Sequence, residues 1–356
     1  VVNGKPVYYL TNQTNTVINQ TTHPQVGYLG LINCVNITVE RLDLESNSQG
    51  LQLTHTNDSK IAANNIANNQ YGIILLESLG NTLVGNRVAY NGDGINLERS
   101  LNNALLANSI TTNARQGILL SKSFNNILSR NSITANIWSG IRLENSSNNY
   151  IYHNNVLTNL KQVESDNSTN FWNNTYPSGG NYWGEYNGTD SYSDPYQNIF
   201  GSDGIGDEPY TIDENNIDNY PLIGMFSHFD ATFEHPVQTI CNSSISDFQL
   251  KDSAICFKVS GEDGTTGFCR ICIPTALMKG PYKVFVNNTE IPSILLSFSN
   301  STLSYLYFTY SHSIQEVVII SETHSLFVLP VSITTTLFAV LLRRRKHFGA
   351  ANSRRE

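Results

Sequence analysis

At 356 residues the chain has room for two domains and a small third segment. Its formal net charge is -8 and only 14% of its residues are charged, so it offers no basic face to nucleic acid. Acceptor sequons run along its whole length, Asn187, Asn242 and Asn287 among them, which fits an exported, glycosylated protein better than a cytosolic one.

The chain opens at Val1 with neither a methionine nor a signal peptide; an exported protein should carry one, so a fragment lacking its start is expected. From there to about residue 160 a phrase returns every 22 or 23 residues: glycine, aliphatic, any residue, aliphatic. It reads Gly50-Leu51-Gln52-Leu53, Gly72-Ile73-Ile74-Leu75, Gly94-Ile95-Asn96-Leu97, Gly117-Ile118-Leu119-Leu120 and Gly140-Ile141-Arg142-Leu143. A second phrase, Asn-x-aliphatic-x-x-Asn, keeps the same step at Asn81-Leu83-Asn86, Asn103-Leu105-Asn108, Asn126-Leu128-Asn131 and Asn149-Ile151-Asn154. Two phrases in phase mark a repeat architecture. Each repeat holds short period-2 aliphatic stretches between Asn, Gly and Ser, with no helical i, i+3, i+4, i+7 pattern. Each is therefore one coil of short strands, and coils stacked about 4.8 Å apart build a β-solenoid over residues 1–160. A leucine-rich repeat of similar period needs a helical return and many more leucines.

In this stack Ile73, Ile95, Ile118 and Ile141 form one inward column, and Leu53, Leu75, Leu97, Leu120 and Leu143 the next. Asn64, Asn86, Asn108, Asn131 and Asn154 are expected at a turn, where Asn tolerates left-handed backbone angles and its amide bonds the coils above and below. Over residues 161–224 the repeat stops and aromatic and turn residues take over. Trp172, Tyr182 and Trp183 are expected to cover the exposed apolar end of the last coil. Alternating runs over 231–322, such as Tyr282-Lys283-Val284-Phe285-Val286, suggest an immunoglobulin-like β-sandwich. Residues 325–342 read as a transmembrane anchor, since Leu326 to Leu342 is free of charge and Arg343-Arg344-Arg345-Lys346 follows at once. The basic tail, 343–356, then lies inside the cell and everything before the anchor outside.

With these coils, the Asn181-Tyr182-Trp183 motif and the block from Gly204-Ile205-Gly206-Asp207-Glu208-Pro209-Tyr210 to Asn219-Tyr220-Pro221-Leu222, the first 225 or so residues resemble NosD-type right-handed parallel β-helix proteins. These are also described as carbohydrate-binding and sugar-hydrolase (CASH) repeat proteins, and the chain looks like their surface-anchored archaeal members. The resemblance implies an all-β chain: a right-handed parallel β-helix, then a sandwich module of a kind that accompanies such helices, then a C-terminal transmembrane helix. For function it implies less, because the family name covers a copper-linked accessory protein of nitrous oxide reductase maturation, polysaccharide-acting enzymes and proteins of unknown role.

The outward positions of the coils are where a binder or an enzyme would work. They read Gln52, Ile74, Asn96, Leu119 and Arg142 in one column and Thr54, Leu76, Glu98, Ser121 and Glu144 in the next. Polysaccharide lyases and hydrolases on such helices need carboxylates close to one another or a basic residue beside bound metal, which makes Asp93, Glu98, Arg142 and Glu144 the catalytic candidates for a lyase, hydrolase or epimerase. Glu98 and Glu144 lie two coils apart, about 10 Å by strand spacing, and Arg142 equally suits a surface ion pair. Catalysis is therefore the lesser expectation. The leading one is a surface-anchored helix with a structural, adhesive or carbohydrate-binding role, its partners being carbohydrate, other surface proteins and the membrane.

Copper wants imidazole or soft ligands, yet the chain has two methionines, and its histidines show no paired spacing beyond a loose His228 and His235. Direct copper binding is not expected. Calcium suits Asp203-Gly204-Ile205-Gly206-Asp207 with Asp213 and Asp218, where glycine permits the turn and carboxylates supply hard ligands; a plain Asp/Gly turn explains the same residues. Cys34 reads as a small core residue. Cys241, Cys256, Cys269 and Cys272 suggest one or two disulfides outside the cell, and the Cys269-x-x-Cys272 spacing lacks the second pair that zinc would want.

Overall fold

The computed structural model describes residues 1–2 and 4–322, so the apolar run at 325–342 and the basic tail lie outside the described residues. Among the described residues no helix is long and apolar enough to cross a membrane. The chain divides into two compact units, one of residues 1–228 with 239–241 and one formed by the remaining described residues.

The first unit is a parallel β-helix built from three sheets. The first sheet has eight strands, from Val7–Thr11 through Gln49–Thr54, Tyr71–Leu76, Asp93–Glu98, Ile118–Ser121 and Ser139–Glu144 to Lys161–Asp166, and the other two have seven each. Every pairing in these sheets joins a strand to the one a coil earlier or later. The register sets Ile73, Ile95, Ile118 and Ile141 in one row and Leu53, Leu75, Leu97, Leu120 and Leu143 in the next, all fully buried, as the repeat predicts. Burying one such side chain contributes about 2 kcal/mol.

The repeated glycine has a steric cause. A Cβ on Gly72 would meet the carbonyl oxygen of Gly94, and one on Gly94 that of Gly117, so only glycine lets the coils close at this corner.

Four buried polar columns line the corners, one of them beside the repeated glycines. Nδ2 of Asn64 donates to Oδ1 of Asn86 (3.0 Å), Asn86 to Asn108 (3.0 Å), Asn108 to Asn131 (3.0 Å) and Asn131 to Asn154 (2.9 Å). The second N–H of Asn86 donates to Ile61 O (2.8 Å), and its Oδ1 also accepts Asn64 N (3.0 Å), so each interior amide uses its full donor and acceptor capacity. Asn81, Asn103, Asn126 and Asn149 form a second column of this kind. Asn69, Asn91, Asn113, Asn136 and Asn159 form a third. Thr56, Ser78, Ser100, Ser123 and Ser146 form a hydroxyl column. In the first column the left-handed residue is not the expected asparagine but the one before it: Ala63 (φ 52°), Gly85 (φ 63°), Ala107 (φ 53°), Arg130 (φ 61°) and His153 (φ 58°). That conformation aims the N–H at the next coil, as in Ala63 N to Val84 O (3.0 Å), which offsets a steric cost of about 1 kcal/mol.

Beyond residue 160 the solenoid continues for most of a turn: Lys161–Asp166 joins the first sheet and Tyr182–Trp183 the third. Trp172 and Trp183 then bury to 1% exposure with their rings 5.8 Å apart, completing the core cluster that begins at Ile18. A hairpin, Tyr210–Asp213 with Asn216–Asp218, finishes two asparagine columns. Asn216 Oδ1 accepts Asn170 N (3.0 Å) and Trp172 Nε1 (2.9 Å), and Asp218 Oδ2 accepts Asn181 N (2.8 Å) and Trp183 Nε1 (3.0 Å).

The second unit contains antiparallel sheet. One five-stranded sheet orders Ser244–Lys251, Ala254–Ser260, Gln315–Ser321, Tyr282–Val286 and Thr289–Ile291. In another, Thr266–Pro274 pairs with Leu303–Ser311, which pairs with Ser293–Leu295. None of the five cysteines is in a disulfide, contrary to the expectation for Cys241, Cys256, Cys269 and Cys272. Part of the reason is geometric: Cys269 and Cys272 share one strand three residues apart, and alternation sends their side chains to opposite faces. The same geometry denies zinc the pair.

Candidate functional site

The outward columns of the first sheet are where the repeat places them, and the eighth strand extends them: Glu164 follows Arg142, and Asp166 follows Glu144. Glu98, Ser121 and Glu144 stand in one column. The four candidate residues nevertheless fall into three separate ion-pair groups. Asp93 is buried and holds Arg115 with both oxygens, at 2.9 Å and 2.6 Å, while the guanidinium lies 5.4 Å from the Tyr71 ring centroid. Glu98 accepts Arg99 Nη1 at 2.5 Å, and Arg99 also reaches Glu77 at 2.8 Å. Arg142 bridges Glu144 (2.7 Å) and Glu164 (2.9 Å), and Lys161 Nζ closes on Glu164 at 2.7 Å.

Of these groups, the last lies in a groove of about 330 Å³, lined by Arg142, Lys161, Glu164, Ser165 and Asp166 over Leu143 and Val163. At its margin Lys161 N donates to Trp138 O (2.9 Å), and Trp138 is half exposed. Lys161, Glu164 and Asp166 escape notice in the sequence because the repeated glycine is replaced by Gln162 in this coil. A signal was present: Val163 sits one period after Ile141 and opposite it.

The charges in the groove are fixed by their partners. Hydrogen bonding from Lys161 is the main force holding the Glu164 carboxyl below its ordinary range; Arg142 adds to it and burial opposes it. The Arg142 guanidinium is held protonated above its ordinary value chiefly by its bond to Glu144. Glu164 therefore stays an anion at neutral pH, whereas a general acid must carry a proton there.

The cap carboxylates also have protein partners. Asp203 accepts Tyr176 Oη (2.8 Å) and Ile205 N (2.9 Å), and Asp207 accepts Ser191 N (2.9 Å), Tyr192 N (3.0 Å) and Thr189 Oγ1 (2.8 Å). Asp213 accepts Asn216 Nδ2 at 2.9 Å, and Asp218 ends an asparagine column. Among the described residues no three His, Cys, Asp or Glu side chains gather as a metal cage requires. Burial pushes Asp218 up to about 7, against the hydrogen bonds it accepts, and pushes Asp190 up to about 7 as well.

Residues 2–188, more than half of the chain, match the family described as periplasmic copper-binding protein (NosD). The chain belongs to the NosD family. A search of curated proteins returned no match. Several solved structures are similar. The periplasmic alginate epimerase AlgG is 22% identical, with a TM-score of 0.33 and coverage of 43% of each chain. The mannuronan C-5 epimerase AlgE4 A-module of Azotobacter vinelandii is 16% identical, with a TM-score of 0.37 and coverage of 45% of this chain and 57% of that one. The tailspike protein gp49 of Acinetobacter baumannii bacteriophage Fri1, a capsular polysaccharide depolymerase, is 12% identical, with a TM-score of 0.31 and coverage of 83% and 59%. The chain thus spans between 43% and 57% of the length of these two epimerases.

The copper in the NosD description finds no fitting donor set among the described residues. His55 pairs with Glu77 at 3.3 Å, His153 stacks on Phe226 at 4.0 Å, and no group of three donors forms.

Proposed function

We propose that this NosD-family β-helix binds polysaccharide along the outward face of its first sheet, without cleaving or epimerising it. The observation that carries the reading is the ion-pair set in the groove: Arg142 pairs with Glu144 and Glu164, and Lys161 and Arg142 hold Glu164 as an anion. Fixed donors and acceptors of that kind suit sugar hydroxyls, and Leu143 and Val163 beneath them offer apolar surface to the C–H face of a sugar ring. The solved epimerases and depolymerase named above act on polysaccharides by their own descriptions, which agrees with the substrate class.

Titration of the whole protein with soluble acidic and neutral polysaccharides tests the reading. Arg142→Ala and Lys161→Ala should each weaken binding at least tenfold, and unchanged affinity in both contradicts it. The reading sets the protein at the cell surface, held by residues 325–342. Of the three sequons named above, exposed Asn187 and Asn287, whose amide nitrogens carry no hydrogen bond among the described residues, are then the ones open to glycan. Asn242 Nδ2 is engaged by Thr266 O at 3.0 Å.

A further inference from the structure

The second sheet ends differently from the way it begins. Its outward column passes from Lys60 and Thr82 through Ala104 and Ile127 to Tyr150, which bridges to Phe171 in the last coil. The Tyr150 and Phe171 rings stack at 4.7 Å and 20°, and they are 46% and 49% exposed. They belong to a cleft of about 440 Å³ in the cap whose other lining includes Asn173, Asn174, Glu214, Asn215 and Asn219. Lys, Arg and His are absent from that lining. The side chains of Glu214, Asn215 and Asn219 make no hydrogen bond among the described residues, so their donors and acceptors face the cleft uncommitted.

We propose that this cleft is a second binding site, for an uncharged saccharide of one or two pyranose rings. The C–H face of a pyranose is apolar and slightly positive, so it rests on the negative face of an aromatic ring. Its vicinal hydroxyls need paired donors and acceptors at the rim, which amides supply from one group. The volume lies in the range of small-ligand sites. Charge selects within the class: Glu214 repels a uronate, and the lining has no cation to receive one. The first-sheet groove differs in carrying two cations, Arg142 and Lys161, both paired with carboxylates. The site rests on its own residues, so its failure leaves the groove untouched.

The test is calorimetric titration of the whole protein with neutral oligosaccharides of glucose, mannose and xylose, and with a uronate oligomer of equal length. On a Lys161→Ala background, in which the groove no longer contributes, Phe171→Ala and Asn219→Ala should lower affinity for a neutral sugar at least tenfold. Both altered residues are solvent-facing; a melting temperature within about 2 °C of the parent confirms that folding is retained. Preference for the uronate, equal affinity in both cleft variants, or no neutral sugar bound at millimolar concentration each overturn the proposal. So does sedimentation showing that Phe171→Ala dissociates a dimer, since a second copy would then be the occupant.

Discussion

Two asparagine columns of the β-helix end in the same way with different chemistry. Asn170-Phe171-Trp172 and Asn181-Tyr182-Trp183 each offer a backbone N–H and an indole N–H, and Asn216-Ile217-Asp218 supplies both acceptors. At the first end the acceptor is an amide, whose Nδ2 also donates to Ser168 O (2.8 Å) and Asp213 (2.9 Å). At the second it is a fully buried carboxylate that accepts a further bond from Tyr220 N at 3.2 Å. A stack of amides can therefore be closed by any good acceptor, but the acceptor's protonation decides whether the closure depends on pH.

Exchanging the two chemistries breaks the comparison. Asn216→Asp turns a donor toward Ser168 O into an acceptor and sets a carboxylate beside Asp213 in a dry site. It should cost about 4 kcal/mol in chemical denaturation. Asp218→Asn should cost far less, because an amide oxygen still accepts from Asn181 and Trp183 and only the bond from Tyr220 is lost. Its signature is in pH. The folded Asp218 carboxyl titrates near 7 and the unfolded one near 3.8, so its contribution is full at acid pH and is lost as pH rises through 7. Between pH 5 and pH 8 the parent should lose about 2 kcal/mol more than Asp218→Asn does. Asp190 titrates with the same sign in both proteins, so it cancels from the difference. The smallest effect is at the third column, where Asn159 Nδ2 ends on Gln162 Oε1 at 3.0 Å; Gln162→Ala should cost about 1 kcal/mol with no pH dependence.

The body of the helix was legible because its physics repeats. One coil bars a Cβ at Gly94 and fills each asparagine amide, and the next coil does the same, so the constraint recurs in the sequence at the same step. The cap terminators were not legible, since Asn216 and Asp218 meet their partners across 44 and 35 residues with no second copy to betray them. Asp218 looked like a calcium ligand in the sequence because glycines and aspartates crowd that stretch; in the fold it receives N–H groups. At the candidate site Arg142 and Glu144 were read correctly as outward neighbours. Their partners Glu164 and Lys161 lay just past the last repeated glycine, where the pattern no longer pointed to them.

The central claim is that the groove binds polysaccharide with Glu144 and Glu164 locked in ion pairs. The most direct measurement is to incubate the whole protein with a polysaccharide that it binds and follow the polymer by size-exclusion chromatography and proton NMR. Unchanged chain length and unchanged sugar configuration over many hours, with the polymer still bound, is the predicted result. Shortened chains, unsaturated ends or altered C5 configuration, abolished by Glu164→Gln, would contradict it and make the groove an active site.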